Sequence, residues 1–498
     1  MLETQKKLTN TFYALLSLPA TAMGFALSIQ ISALSWILST QYNLKIDEVG
    51  LVWAAGPLAG ILGQVIIGVI SDKVWLWGGR RRPFILIGGI FASLMLLALP
   101  NIKHISDSFG FSGILGMAIA IALTLDLAIN ISFNPTRSII ADITPEGVER
   151  TKGYTWMQTV SGTFGVLAYV IGAVWGNYVL IYFGVFLVFL LSVIPTFFIT
   201  EPKELKAGAN DKGKSETVKT SFTEILLLIE PLWGFLVYAA YAMIAKMVDF
   251  KPDNYYIEAI CFIITIVFIL KTLFAKPNHN DASADGIISF KKILAAHTFT
   301  WLGIQTMFVY IFAFLQHKVF LISDNSLLTT VIKDDIGRII SISFLILNAV
   351  AALLPTLALE PIARKIGRVR THFLCIASMA ISYALMLVFG FSALNIYIIM
   401  ALLGIGWAST ISLPFAIMSQ QIDQRRMGLF MGLFNLSVVL PQLVASFGVG
   451  QVVNSAGDKN IIFIISALSL GISALLWMLV KNESENKNES SGHVPSSH

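Results

Sequence analysis

The chain is predicted to be an all-α polytopic membrane protein: two six-helix bundles with two accessory hydrophobic helices between them. Three observations predict it. Of 498 residues, 56% are hydrophobic and 13% charged, whereas soluble domains carry about 25% charged residues. Apolar stretches of about 20 residues, the length a bilayer requires, recur along the chain. The charged stretch SDKVWLWGGRRRP at 71–83 also has a counterpart, EPIARKIGRVR at 360–370. Asp72 precedes Arg80 by the same interval that separates Glu360 from Arg368, and Gly79 matches Gly367. A weaker echo pairs ERTKG (149–153) with QRRMG (424–428). Two such matches at corresponding places indicate duplicated halves.

The opening residues, MLETQKKLTN, are polar, and no cleavage site of the A-x-A kind follows, so no removable signal peptide is expected. Six apolar segments then run at 12–38, 50–70, 84–100, 112–139, 154–176 and 179–199, giving a first bundle over 1–200. Residues 201–222 are charged and poor in large apolar side chains and read as a cytoplasmic linker. Two further apolar segments, 225–246 and 255–275, interrupt a six-plus-six pattern, so 201–284 is assigned to linker and accessory helices. The second bundle, 285–482, contains segments 297–317, 338–358, 372–391, 395–418, 428–450 and 461–480. The Ser-, Asn- and Glu-rich end, 483–498, is expected to be disordered.

With the N-terminus inside, 25 of the 34 Lys and Arg fall on cytoplasmic loops and tails. This asymmetry places both termini in the cytoplasm. The net charge of +5 is thus a topology signal and implies no nucleic-acid partner. Cys261 and Cys375 lie in apolar stretches and form neither a disulfide framework nor a metal site. No Cys/His cluster has metal-ligand spacing, and no phosphate-binding G-x-x-x-x-G-K-[ST] loop is present.

The fourth segment carries the most informative chemistry. Its sequence ALTLDLAINISFNPTRSIIAD places Asp126 within an apolar span, followed by Asn130, Asn134 and Arg137. At about 100° per residue these four share one helix face, with Asp126 and Arg137 roughly 16 Å apart along the axis. A carboxylate inside a membrane is costly, and such residues mark ion or substrate pathways and proton relays.

The stretch Gly68–Arg82, with Gly68, Asp72, Gly79, Arg80, Arg81 and Arg82, resembles the inter-helix loop of the major facilitator superfamily. Glu360, Arg364, Gly367 and Arg368 form its counterpart. A carboxylate at a helix end and arginines on the next loop can lock two helices in one state and release them in another. LDLAIN, NPTRSIIADITP, WAAGPLAGILGQVIIGVISD, FTWLG, LPFAIMS and GLFNLSVVLPQLVAS further resemble the proton-coupled sucrose and maltose transporters, in a bacterial branch. The resemblance implies the major facilitator fold, alternating access, disaccharide uptake by proton symport, a cytoplasmic (inner) membrane location and a functional monomer. It makes Asp126 the proton-coupling carboxylate. The seventh core segment, VYIFAFLQHKVF, lacks the aspartates of the plant members. The first, unlike that of proton-coupled peptide transporters, carries no charge.

A sugar offers hydroxyls and an apolar ring face, so its site needs amides and an aromatic plate. Candidates are Gln30, Gln158, Gln305, Asn348, Asn435 and Gln442, with Trp53, Trp301 and Trp407 as plates and Asn130, Asn134 and Arg137 beside Asp126. No cofactor is expected beyond protons as the coupling ion. The partners implied are a sugar and the bilayer. No nucleophile–base pair supports an enzyme. An exporter of drugs or metabolites by proton antiport, and a nontransporting sugar sensor, are the alternative readings of the same fold.

Overall fold

The computed structural model describes residues 3–60, 75–110, 113–145, 148–202, 222–248, 250, 254–275, 282–323, 327–422 and 427–480. Among them the regular structure is helical, apart from an isolated bridge between Leu76 and Gly79. The principal helices are α1 (Asn10–Thr40), α2 (Ile46–Trp53), α3 (Arg82–Ala98), α4 (Ile114–Ile143), α5 (Val148–Trp175), α6 (Asn177–Phe198), α7 (Trp233–Met247) and α8 (Tyr256–Leu273). They continue with α9 (Ala282–Phe314), α10 (Thr330–Leu354), α11 (Arg368–Phe389), α12 (Ala393–Gln421), α13 (Met427–Val444) and α14 (Ile461–Trp477). Helical residues resume after α2 at 55–60, where its described part stops.

Eleven helices among the described residues are long and apolar enough to span a bilayer, and α14 is a shorter apolar helix of 17 residues. The expected apolar segment 225–246 is broken. A short helix, Phe222–Leu228, gives way to a turn at Glu230–Leu232 before the 15-residue α7 begins. Pro231 accounts for the break, since it has no N–H to continue the helical ladder.

Local chemistry explains several of these helices. Thr9 caps α1 by accepting from the Phe12 N–H at 3.3 Å. Within α1 the hydroxyls of Ser17, Thr21, Ser28 and Thr40 donate to carbonyls one turn back, so they can lie in an apolar helix without orphaned donors. Pro83 sits in the first turn of α3, where its missing N–H costs nothing. Gly367 joins the helix Glu360–Ile366 to α11 with φ of 90°, a conformation that suits glycine.

The chain divides into two compact units: 1–216 with 322–345, and 217–321 with 346–498. In the first, α1 packs on α5 and α6, and α3 packs on α4 and α6. In the second, α9 packs on α13 and α14, and α11 packs on α12 and α14. The second set repeats the first helix for helix, as duplication of a six-helix half requires. Two elements group otherwise than the sequence suggested. The accessory helices α7 and α8 fall in the second unit, against α13 and α9. The opening of α10 falls in the first, where the Trp36 indole N–H donates to the Lys333 carbonyl at 2.7 Å and Ser32 and Ser341 share a 2.9 Å hydroxyl contact.

Phe12, Leu16, Ile85, Ile139, Ile140, Met157 and Ile199 form a buried cluster that ties α1, α3, α4 and α5 to the residue following α6. Burying each such side chain contributes about 1.5–3 kcal/mol. The cluster gives the residues around Asp142 a rigid footing.

Candidate functional site

Asp126 lies on α4 and is 5% exposed. Gln30, from α1, donates its Nε2 to both carboxylate oxygens at 3.1 and 3.0 Å. Gly56 closes over the group: a Cβ at that glycine would stand 3.3 Å from Asp126 Oδ2. A helix boundary residue, Trp53, is buried with its indole N–H on Ser35 Oγ at 2.8 Å, so in this arrangement it packs against α1. Asn130 donates to the Asp126 backbone carbonyl at 2.8 Å, one turn back. Asn134 is helical, and its side chain lies outside the described residues. Arg137 is exposed, its guanidinium 4.1 Å from the Phe133 ring centroid. Gln158, on α5, is exposed too. Exposed amide and guanidinium groups on membrane spans need water rather than lipid beside them.

In the second unit, several candidates come together. Trp301 and Trp407 meet edge to face with centroids 6.1 Å apart, and Phe308 adds a third ring 5.4 Å from Trp407. The Trp407 indole N–H donates to Asn348 Oδ1 at 3.2 Å. One turn beyond Trp301, Gln305 accepts from Gln442 Nε2 at 3.3 Å. Both tryptophans, Asn348 and Gln442 are half-buried and Gln305 is buried. Asn435 is half-buried on α13. The cluster supplies flat apolar rings beside amides that both donate and accept, a match for a polyol ring.

Two residues of this unit were not singled out from the sequence. His297 stacks on Phe434 with centroids 4.7 Å apart and accepts from the Trp301 indole N–H at 2.9 Å. The accepting Nε2 leaves the proton on Nδ1, which is buried without a partner among the described residues. His372 meets Ser409 Oγ at 2.6 Å through Nδ1, while its buried Nε2 has no partner among the described residues. The only sequence signal was the HTFTW spacing, which puts His297 and Trp301 one turn apart.

The charged loop is partly described. Gly68 and Asp72 lie outside the described residues, as does the Glu360 side chain. Arg81 pairs through Nε with Asp142 Oδ2 at 3.1 Å, both side chains largely buried. The carboxylate of Glu201, just past α6, accepts from the backbone N–H groups of Arg80, Arg81 and Arg82 at 2.7–3.1 Å. It therefore satisfies donors at the start of α3 that have no partner within the helix. Gly79 leaves room beside it: a Cβ there would stand 2.5 Å from Glu201 Oε1, so the carboxylate would have to shift. Glu149 accepts from the Tyr13 hydroxyl, linking α5 to α1. In the counterpart stretch, Arg364 is exposed on its short helix and Arg368 opens α11.

Residues 16–250 match the model of the Major Facilitator Superfamily. Among solved structures, the POT family transporter PepTSo superposes with a TM-score of 0.62 at 14% identity, covering 98% of this chain and 100% of that one. The nucleoside transporter NupG superposes at 0.58 with 12% identity, covering 95% and 99%. The protein thus has the major facilitator fold, and it is a multi-pass membrane transporter, not an enzyme. Its sequence relatives are narrower in kind. Sucrose transport protein SUT2 of Oryza sativa subsp. indica is 23% identical over 492 residues, covering 92% of this chain and 90% of its own. Sucrose transport protein SUC4 of Arabidopsis thaliana is 23% identical over 472 residues, covering 86% and 82%. The general alpha-glucoside permease of Schizosaccharomyces pombe is 28% identical over 174 residues, 31% of each chain.

Proposed function

We propose that this transporter takes up a disaccharide of the sucrose and α-glucoside class together with protons, by alternating access, and that Asp126 is the coupling group. The observation that carries this reading is the setting of Asp126. It is buried on a membrane span, and its side chain is held by the neutral amide of Gln30. An ionised carboxylate with no counter-charge is costly in a membrane, and taking up a proton removes that cost. The bound proton then crosses with the protein in one state and leaves when the group meets water in the other. The ring-and-amide cluster of Trp301, Trp407, Asn348, Gln305 and Gln442 supplies the chemistry for the sugar. The relatives' names, sucrose transport protein and alpha-glucoside permease, support the same substrate class.

In this reading the coupling ion is the proton, the functional unit is the monomer, and both termini face the cytoplasm of a cytoplasmic-membrane protein. The excess of Lys and Arg on the loops assigned inside supports that orientation.

The test is transport in proteoliposomes with an imposed pH gradient and labelled sucrose or maltose. The wild type should concentrate sugar, and a protonophore should abolish the accumulation. Asp126→Asn, which mimics the protonated group, should retain sugar binding and exchange but lose accumulation. If the asparagine variant still accumulates sugar in a protonophore-sensitive way, Asp126 is not the coupling group.

A further inference from the structure

A cavity of about 750 Å³ lies within the second unit, and no residue of the ring-and-amide cluster lines it. The accessory helices α7 and α8 form one wall. Phe299 and Leu302 of α9 and the chain from Val444 through the helix Gly450–Ser455 form the other. Its volume falls within the roughly 300–1,000 Å³ of small-molecule sites.

The two ends of the cavity differ chemically. Tyr255, Glu258, Gln451 and Ser455 line one end. On α8 the polar residues precede Thr265 and Ile266, and along α13 and its continuation they follow Val444. The two elements thus agree on which end is polar. From Glu258 to Ile266 the helix advances about 12 Å, and beyond it the lining is Phe235, Phe299, Leu302 and Val444. The polar end is also the end of α8 opposite Lys271, which pairs with Glu230, itself 3.1 Å from Lys291 Nζ. Tyr255 and Tyr256 are strongly exposed beside it, as aromatic residues at the headgroup level of a bilayer are.

One polar atom of a residue lining this end, Glu258 Oε2, is buried without a hydrogen-bond partner among the described residues. The Tyr238 hydroxyl is fixed nearby against bare Gly448, where a Cβ would stand 2.6 Å from it. A buried carboxylate oxygen left unpaired is costly unless something donates to it.

We propose that this cavity holds one membrane lipid with a primary ammonium head, an aminophospholipid of the leaflet opposite the Lys271–Glu230–Lys291 cluster. The head donates an N–H group to Glu258 Oε2 and neutralises the carboxylate. An acyl chain fills the apolar end. A quaternary ammonium has the charge but no N–H to give, and an anionic head meets Glu258 with like charge. The geometry therefore selects for a primary amine over both. The lipid would also wedge the accessory hairpin against α9 and α13, which gives these two helices a role apart from sugar recognition. The proposal is independent of the transported substrate.

The experiment is native mass spectrometry of the full chain, stripped of lipid in detergent and titrated with phosphatidylethanolamine, its N-methylated series, phosphatidylcholine and phosphatidylglycerol of identical chains. One phosphatidylethanolamine should bind at least tenfold more tightly than phosphatidylcholine or phosphatidylglycerol, and affinity should fall stepwise with methylation. Glu258→Gln should abolish the preference, and Ile266→Trp should weaken binding of all the lipids by filling the tail end. The methylation series on the wild type decides the matter even if a variant fails to fold. Equal affinity for the three headgroups, or a preference that survives in Glu258→Gln, would overturn the proposal.

Discussion

Gly79 and Glu201 form a lock whose strength can be worked out from its contacts. Glu201 is 6% exposed and spreads its two oxygens over three consecutive backbone N–H groups at the start of α3. Replacing a helix-capping acceptor costs about 0.5–2 kcal/mol, and leaving a buried donor unmade costs about 1–3 kcal/mol. Glu201→Ala is therefore expected to cost about 2–4 kcal/mol. Gly79→Ala acts on the same lock from the other side. The added methyl would stand 2.5 Å from Glu201 Oε1 and 3.0 Å from its Cδ, so the carboxylate must retreat from the amides. Overpacking of this kind costs about 1–3 kcal/mol. For a unit of roughly 240 residues, 2 kcal/mol corresponds to a fall in melting temperature of about 4–8 °C.

The decisive measurement is the double variant. With Glu201 reduced to alanine, the methyl at position 79 has room, and Gly79→Ala should then cost less than about 0.5 kcal/mol, giving a coupling of about 1.5–2 kcal/mol, within the range found for residues in contact. Intrinsic tryptophan fluorescence during heating, on the four proteins in one detergent, reads out all four corners of the cycle. Additive losses, with Gly79→Ala equally damaging in both backgrounds, would refute the idea that the glycine exists to admit Glu201.

Two further outcomes are expected. Asn348→Ala should weaken sugar binding about 10- to 100-fold, by loss of its amide and of the fixed orientation of Trp407, while Trp407→Phe, which keeps a ring but loses the N–H, should fall between; titration calorimetry that finds both unchanged would remove this cluster from the substrate site. Ser32→Cys combined with Ser341→Cys, at a contact of 2.9 Å, should cross-link under oxidation and stop transport reversibly if the proposed alternating access parts α10 and α1 there; full transport by the oxidised double variant, with the bond verified by mass shift, would count against that motion.

The sequence carried the fold well because a bilayer leaves few options. Twelve core segments, the loop repeat and the accessory pair were all visible as runs of apolar residues and charge, and the packing pairs of the two units repeat accordingly. The break at Pro231 was visible as a residue but not as a consequence, since an apolar run alone does not report its own interruption. Site residues were legible in type more than in partner. Asp126 stood out because a carboxylate in an apolar span is rare, yet nothing in the spacing could say that Gln30, 96 positions away, would hold it. From the sequence Glu201 reads as the first residue of a linker, because its partners lie about 120 positions earlier and are backbone groups, which leave no side-chain signature. His297 and His372 escaped for a related reason. Their partners are an indole, a hydroxyl and aromatic rings, so no metal-like or catalytic spacing marks them.

α4 joins two of these features physically. Asp126 faces Gln30 of α1, and Asp142, sixteen residues further on, faces Arg81 of the charged loop. At 1.5 Å per residue the two carboxylates are about 24 Å apart along one helix. Between them stands Pro135, whose missing N–H leaves the Ile131 carbonyl without its helical donor, while the Thr136 hydroxyl turns back to the Phe133 carbonyl at 2.7 Å. The helix is thus held by side chains near its middle and near its C-terminal end, and weakened between them. A change in the charge of Asp126 alters its bond to Gln30, and the softened stretch is the place where α4 can bend in response without unfolding. The Arg81–Asp142 pair sits beyond that stretch, beside the buried cluster of Phe12, Ile85 and Ile140. In the cycle proposed above, the charge on Asp126 near the middle of α4 and the Arg81–Asp142 pair near its end are two loads on one helix with a soft point between them.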